Sequence, residues 1–492
     1  MTTDVKGISG RSFDYIIVGG GTSGCALAAT LSEKFSVLLV ERGGSPFGNP
    51  LVEEKNNFGF PLIETDEFSS IAQAFVSEDG VANHRGRVLG GSSAINGGFY
   101  SRASEHDVER IGWDRELVKE SYEWVESKIV FEPQRLTPWQ SVANASYIEG
   151  KVLPYNAFSL EHIEGTKIGG SIFDNNGKRH TSADLLRAGN LKNLAVLVNA
   201  TVTNVIFHDH GRQKPRAIGI RFMDSNGDPT ELHQVYLNKS GYWGDVILSA
   251  GALGSPQILM LSGIGPEQHL KRFNIKPLVH HPQVGKNFQD MPAIALLFNI
   301  SHRLQKLPTD PPQVVGIADK FQFIIQSIIL PSSPTSKIFP ITAKLAKSES
   351  EGVLELESTD PRKNPYVRFN YLADQRDLRK CVRMTWLINR IAQSKPVEEF
   401  TGRRQEGFDL GGGDVRRKLM DICRKKVRTF YHYHGGCVVG SVVDKEYRVY
   451  GVSGLRVVDG STLSISPGTN PMATLLMLGR YQGRKIINER RE

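Results

Sequence analysis

Nowhere in the 492 residues is there an uninterrupted apolar run long enough to cross a membrane. The nearest approach, FQFIIQSIIL (321–330), is too short and is broken by Gln322, Gln326 and Ser327, so a core strand or short helix is expected there. The first dozen residues, MTTDVKGISGRS, have no apolar centre, and no secretory signal is expected in this chain. Cysteine is scarce. Cys25, Cys381, Cys423 and Cys437 are the only four, no pair has metal-ligand spacing, and no metal site is expected. Internal repeats and low-complexity tracts are absent, which excludes solenoids and disordered arrays. The formal net charge of +8 comes without any long Lys/Arg block. A generally basic soluble surface is the simplest reading; an anionic matrix remains compatible, and nucleic acid is not expected as a partner.

What is present is an ordinary globular composition, 39% hydrophobic and 23% charged, with 49 glycines gathered in a few runs. The length exceeds one compact domain, so two domains sharing a cleft are expected. Residues 14–18 (DYIIV) read as a buried parallel strand, 22–34 as a helix and 36–40 as the next strand, a βαβ unit. Another strand, 245–249, runs into Gly251 and a helix. Proline-rich stretches at 307–312 and 331–334 suggest an irregular entry into a second domain. A half-exposed strand is expected at 353–360, helices at 375–393 and 471–488, and a strand with a turn at 454–463.

Gly19-Gly20-Gly21-Thr22-Ser23-Gly24 is a GxGxxG between the first strand and its helix. Gly19 makes the tight turn, Gly21 lets backbone approach a pyrophosphate, and Gly24 packs helix on strand, while the helix start at Thr22 and Ser23 offers free N–H groups. Glu41 ends the second strand, where an acid accepts hydrogen bonds from a ribose. Strand, helix and acid fall in register for a dinucleotide, whereas a bare structural turn would not require the acid. A second small-residue run, GRVLGGSSAINGG (86–98), offers another close backbone approach, with Asn96 able to bond a ring edge; a Gly/Ser surface loop is the alternative.

These motifs are joined by others, and together they resemble the glucose–methanol–choline (GMC) oxidoreductases. The resemblance covers GRVLGGSSAINGGFYSRASEHDVE (86–109), GALGSPQILMLSGIG (251–265), NATVTNV (199–205), PQVGKNFQDMP (282–292), GLRVVDGSTL (454–463) and SPGTNPMAT (466–474). ERGGSPFGNP (41–50) and HYHGG (432–436) are similar to the plant branch that holds HOTHEAD-like proteins and mandelonitrile lyases. The middle, roughly 300–420, is weakly matched. The resemblance implies an α/β fold, with a Rossmann-like FAD-binding domain and a second α+β substrate-binding domain. The expected segments are 1–110, 158–300 and 430–492 for the first, and 111–157 and 301–429 for the second.

It further implies that FAD is held by Gly19, Gly21, Thr22, Ser23, Gly24, Glu41, Arg42, Arg87, Gly90, Ser92, Asn96, Gly97, Val202, Asp459, Gly460, Asn470, Pro471 and Met472. Members that link FAD covalently use a histidine where this chain has Ile95, so the bond is expected to be non-covalent. The catalytic pair maps onto His432 and Asn470. An imidazole suits the base that takes a hydroxyl proton as hydride leaves the carbinol carbon, and an amide can hold the oxygen. On residue pattern alone His432 would more often be a structural or satisfied core histidine, a reading that the resemblance reverses; His434 keeps the structural reading. Tyr431 and Tyr433 are expected to pack, Trp113 to be a core aromatic and Cys25 a small packing residue. Met291 stands where the family has histidine, which removes any role for that side chain.

The implied activity is oxidation of an alcohol, long-chain or hydroxy-fatty in the HOTHEAD-like reading, with oxygen or another acceptor as the final oxidant. A mandelonitrile lyase is the first alternative. It is weakened because Asn470 replaces that branch's second histidine and Phe430 its tyrosine. A catalytically silent flavoprotein is the second. Secreted members imply a Cys381–Cys423 disulfide; two reduced core thiols are the alternative. Sequons at Asn144, Asn199, Asn238 and Asn299 occur near chance frequency, with Asn199 and Asn299 in apparent strands. The secretory route is slightly favoured by these relatives, against the missing signal.

Overall fold

The parallel sheet at the centre follows from strands that are apolar on both faces. The computed structural model of the chain describes residues 1–208, 214–238, 244–298 and 300–490. Five strands, Leu194–Leu197, Val37–Val40, Tyr15–Val18, Asp245–Leu248 and Leu455–Val457, lie side by side in that order and all parallel. Period-two alternation divides their side chains. Tyr15, Ile17, Val37, Leu39 and Ile247 pack against the helices Thr22–Ser32 and Met472–Glu489. Ile16, Val18, Leu38, Val40, Val246 and Leu248 pack with Phe222 and Val235 of a second, four-stranded sheet formed by Ser12–Phe13, Leu232–Leu237, Arg216–Asp224 and Ala200–His208. The two helices touch backbone to backbone: a Cβ on Gly479 would stand 2.2 Å from the Ser23 carbonyl oxygen. This is the Rossmann-like half.

The other half is a six-stranded, largely antiparallel sheet in the order Ala293–Leu297, Pro340–Leu345, Phe323–Ser327, Val314–Ala318, Gly165–Ile168, Tyr155–Phe158. One face packs Ile325, Ile341, Ala343 and Leu345 under the helices Pro138–Glu149 and Gln375–Ala392. The opposite face, carrying Ala295, Gln326 and Thr342, looks into a cavity between the two halves.

Several expectations need correction. The boundaries at 157/158 and 300/301 cut through the six-stranded sheet, because strands at 165–168 and 293–297 hydrogen-bond into it. Conversely Val118, Tyr122, Val125 and Ile129, from a helix assigned to the substrate side, pack into the Rossmann core. Leu354, Leu356, Val367 and Phe369 do so on its other face. The proline-rich stretches are not an entry to the second unit but connections inside it, the latter forming the hairpin Leu330–Ser333 with Ser336–Ile338. Asn199 lies between two strands at φ +56°, not within one, while Asn299 and the Ser240 of the Asn238 sequon fall outside the described residues. FQFIIQSIIL is a strand, Phe323–Ser327, in the middle of its sheet. Trp113 is a core aromatic, 7% exposed, with its Nε1 donating to Tyr447 Oη at 3.1 Å. Among the described residues no helix is long and apolar enough to cross a membrane.

Cys381 and Cys423 form a disulfide between helices Gln375–Ala392 and Val415–Lys426, with Cα atoms 6.1 Å apart and a sequence separation of 42. Closing a loop of that length restricts the unfolded chain by about 4 kcal/mol in the chain-entropy treatment. The double replacement Cys381→Ser/Cys423→Ser is therefore expected to lower stability by about 3–4 kcal/mol, read as a lower guanidinium midpoint. An unchanged midpoint would show that the clamp is redundant.

Candidate active site

A single cavity of about 420 Å³ runs from the first glycine turn to the HYHGG segment. Three helices begin on its wall: Thr22–Ser32, Gly251–Leu261 and Met472–Glu489. None is capped by the side chain of its own N-cap residue, although Asp459 accepts from Gly251 N at the start of the second. Their partial positive ends converge on one space, which suits a ligand carrying phosphate or an electron-rich ring edge. The glycines leave that space open. A Cβ on Gly21 would have no neighbour closer than 3.8 Å, and one on Gly251, at φ +80°, would meet nothing within 4 Å. Gly24, by contrast, is filled from behind, its Cβ position lying 2.0 Å from the Gly19 carbonyl oxygen. These observations fit a dinucleotide laid across the helix starts.

Gly19, Gly21, Thr22, Ser23, Glu41, Arg42, Ser92, Asn96, Gly97, Val202, Asp459, Gly460, Asn470, Pro471 and Met472 line the cavity; Gly24, Gly90 and Arg87 do not. Gly24 and Gly90 act behind the wall, Gly90 at φ +99° donating its N–H to the Gly20 carbonyl at 2.7 Å. Arg87 turns outward onto the carbonyls of Ser70 and Glu67 and the Asp66 carboxylate. Of Arg85 and Arg87, the one that lines the cavity beside Arg42 is Arg85, which the sequence reading passed over. Its Nε donates to Gln73, and its Nη2 is buried with no partner among the described residues, a donor waiting for an anion. Other expected ligands are already engaged. Glu41 accepts from Gly20 N (2.9 Å) and Gly43 N (2.8 Å). The Asp459 carboxylate accepts from Gly251 N, Ser255 Oγ and Ser461 N. Asn96 accepts from Gly98 N and Arg179.

At the far end, the segment 429–434 is held by a buried carboxylate. Asp290 accepts hydrogen bonds from Thr429 Oγ1 (2.6 Å), Tyr371 Oη (2.6 Å) and the His432 backbone N–H (2.8 Å). Burial nevertheless keeps its proton affinity above the usual carboxylate range. Tyr431 takes a left-handed φ of +61°, closed by its N–H donating to Thr429 Oγ1; this turn aims His432 into the cavity. Tyr431 is 44% exposed at the cavity mouth and not packed as expected, whereas Tyr433 packs between Phe75 and Phe369. His434 is structural, its Nε2 paired with Gln289 Oε1 at 2.9 Å. Met291 is fully buried, and it is the neighbouring Asp290 that reaches the site segment.

His432 Nδ1 lies 2.8 Å from Nζ of Lys344, which also donates to the Thr469 carbonyl at 3.1 Å. The lysine thus ties the histidine to the loop that presents Asn470. Burial, with Lys344 and His434 beside it, holds His432 well below its ordinary pKa. Burial also brings Lys344 down to about 7, opposed by Asp290. Asn470 Nδ2 donates to Gln326 Oε1 at 3.2 Å, leaving Asn470 Oδ1 and Gln326 Nε2 without partners among the described residues. Lys344, Asp290 and Gln326 escaped the sequence reading. The available signal was a polar residue at a cavity-facing position in each of two otherwise apolar strands.

Models of the GMC oxidoreductase family match residues 13–293 and 348–479. The chain is 46% identical to an (R)-mandelonitrile lyase-like protein of Arabidopsis thaliana, over 97% of this chain and 90% of that one. It is 41% identical to Protein HOTHEAD of the same plant, over 97% and 89%. It is also 41% identical to the sinalpyl alcohol oxidase Nec3 of Nesocodon mauritianus, over 98% and 89%. Among solved structures, a formate oxidase superposes with TM-score 0.82 at 18% identity, covering 98% of this chain and 99% of that one.

The two glycines give a paired test. Gly21→Ala places a methyl in open cavity, so the variant should fold normally yet bind FAD about tenfold more weakly or worse, a loss of about 1.4 kcal/mol. Gly24→Ala forces helix from strand and should destabilise the fold by about 1–3 kcal/mol. Thermal unfolding of the apoprotein and flavin fluorescence titration separate the two outcomes.

Proposed function

The chain belongs to the GMC oxidoreductase family, and on that footing we propose that it oxidises an alcohol at its carbinol carbon, with His432 as base and Asn470 holding the oxygen. The cofactor is FAD, which supplies the hydride acceptor when bound. What carries the reading is that His432 and Asn470 wall the same cavity that starts at the glycine turn. The residues named at the first end would hold the nucleotide, with Arg85 and the three helix starts meeting its charge.

The Asn470–Gln326 amide pair supports an oxygen-holding role. As placed it offers the cavity one free acceptor and one free donor. Turning both amides over preserves the bond between them and directs the Asn470 NH₂ at a substrate oxygen. The neutral state of His432 leaves an imidazole lone pair for the hydroxyl proton. Leu62, Leu297, Ile328, Leu330 and Ile338 line the rest of the cavity. Such a surface suits an alcohol with an apolar body, aryl or long-chain, and offers no carboxylate to hold a polyol. Oxygen or another acceptor would then reoxidise the flavin. The disulfide suits an oxidising compartment.

A cyanohydrin lyase is the second reading, favoured by the name of the 46% identical relative. Against it stands Phe430, whose ring lies 5.0 Å from that of His432 and carries no hydroxyl.

Anaerobic mixing of the FAD-loaded protein with an alcohol panel, including aryl alcohols and ω-hydroxy fatty acids, should bleach the flavin. Admission of air then tests oxygen as acceptor. His432→Ala should slow bleaching by about 10²–10⁴-fold while retaining FAD. No bleaching by any alcohol, with benzaldehyde and cyanide released from mandelonitrile, would replace this reading with the lyase. Since Ile95 offers no nucleophile, acid precipitation should release the yellow chromophore into the supernatant; retention in the pellet would show a covalent link elsewhere.

A further inference from the structure

We propose that Lys344 sets which nitrogen of His432 carries the proton, and receives a proton from the imidazole when His432 takes one from the substrate. The inference rests on the reading of His432 as base. Its ground is geometric: Lys344 Nζ lies 2.8 Å from Nδ1, which leaves Nε2 as the nitrogen to meet a substrate, and the lysine is fully buried on the strand Pro340–Leu345. Among the described residues no carboxylate bonds this side chain; its two polar partners there are Nδ1 and the Thr469 carbonyl oxygen.

A hydrogen bond between an amine and an imidazole nitrogen has two forms. When Lys344 is an ammonium it donates to Nδ1, which must then be the bare nitrogen, so the proton of the neutral ring sits on Nε2. In that form His432 presents an N–H to the substrate and cannot act as its base. When Lys344 is a neutral amine it accepts from Nδ1–H, and Nε2 offers its lone pair. Only the second form is competent. With FAD bound as hydride acceptor, the carbinol hydrogen would leave to it with its electron pair, and the O–H proton would go to Nε2. The proton on Nδ1 passes to Lys344 Nζ, and the carbonyl product leaves. The ring proton is now on Nε2; as oxygen or another acceptor takes the hydride equivalent, that Nε2 proton would leave with the reduced acceptor and Lys344 would return its proton to Nδ1, restoring the competent form. His432 stays neutral. That matters because burial makes an imidazolium here unfavourable, so a proton could not rest on the ring.

The groups facing Lys344 are consistent with an amine that changes state near neutrality. His432 and His434 approach from one loop, with the Phe430 ring 5.3 Å from Nζ. Asp290, preceding the strand Ala293–Leu297, favours the ammonium. His162, which feels Lys344, Lys167, Lys347 and Asp107, approaches from behind the 468–470 loop and is itself held neutral, near pKa 3. The strand Phe323–Ser327 contributes the neutral Gln326, while the helix Gln375–Ala392 packs on the opposite face of the sheet. Burial against these groups places the lysine at about 7.

The test uses the FAD-loaded protein labelled with ¹⁵N-histidine and titrated from about pH 5.5 to 9 by NMR, a range spanning the ordinary imidazole pKa. The His432 signals, assigned with His432→Gln, should exchange tautomers, Nε2–H below about pH 7 and Nδ1–H above it. In Lys344→Met this exchange should vanish. In anaerobic flavin reduction the wild-type rate should rise about tenfold per pH unit to a plateau above pH 7. Lys344→Met should have a flat profile. Lys344→Arg, charged throughout, should stay at least about 100-fold slow at every pH. A single His432 tautomer across the range in the wild type, or an unchanged pH limb in Lys344→Met, overturns the proposal. The tautomer reading needs no turnover. If the tautomers exchange but no alcohol bleaches the flavin, the alcohol reading falls and the lysine–histidine coupling stands.

Discussion

One buried carboxylate organises the reactive end of the molecule. Asp290 has been taken almost wholly out of water, and such a group is tolerated only where donors replace its hydration. Its three donors come from three places: a backbone N–H at His432, a hydroxyl at Thr429, and the phenol of Tyr371. Satisfying Asp290 therefore dictates the path of 429–432, including the left-handed turn at Tyr431, and that path aims the imidazole. The strand that begins three residues after Asp290, Ala293–Leu297, pairs with the strand bearing Lys344. The carboxylate thus links the segment that carries the base to the sheet that carries the base's partner.

Much of the Rossmann-like half was legible because its constraints are local. A turn that must bring backbone against backbone admits only glycine, so Gly19 and Gly24 announce themselves in the sequence, as do strands apolar on both faces. The disulfide was legible through resemblance, not through spacing. The reactive end was legible only in part. His432 and Asn470 stood out through the motifs around them, but their partners are set by pairings between strands distant in sequence. Lys344 reads as one charge in PITAKL and Gln326 as an interruption in an apolar run. Only the register that pairs Gln326 with Thr342 shows that such positions share one face.

The same limit explains the misplaced arginine and the misplaced boundaries. Arg85 and Arg87 are equivalent on the page of the sequence. The strand Ala82–Gly86 ends between them, and Arg87, beyond the ladder, swings to the carbonyls of the 66–70 turn. The domain edges failed because chain continuity is a poor guide where two sheets exchange segments: 138–168 leaves the Rossmann half for a helix and a pair of strands of the other sheet and returns.

The cavity keeps its electrostatic duties apart. At the nucleotide end it gathers positive potential from the helix starts and the Arg85 guanidinium, which an anionic ligand compensates. At the reactive end fixed charge would be a liability, since a buried cation without a counter-ion is costly. Here the structure places groups that can shed charge instead: an imidazole held neutral and a lysine lowered to about 7. A base that must receive a proton in a dry site works only if the resulting charge has somewhere to go, and the amine behind the ring provides that place without opening the cavity to water. Moving the charge one residue back also takes it off the ring that faces the product carbonyl. The lysine bond to Thr469 then makes the loop presenting Asn470 part of the same unit, so the group that accepts the proton and the group that orients the oxygen are positioned by one side chain.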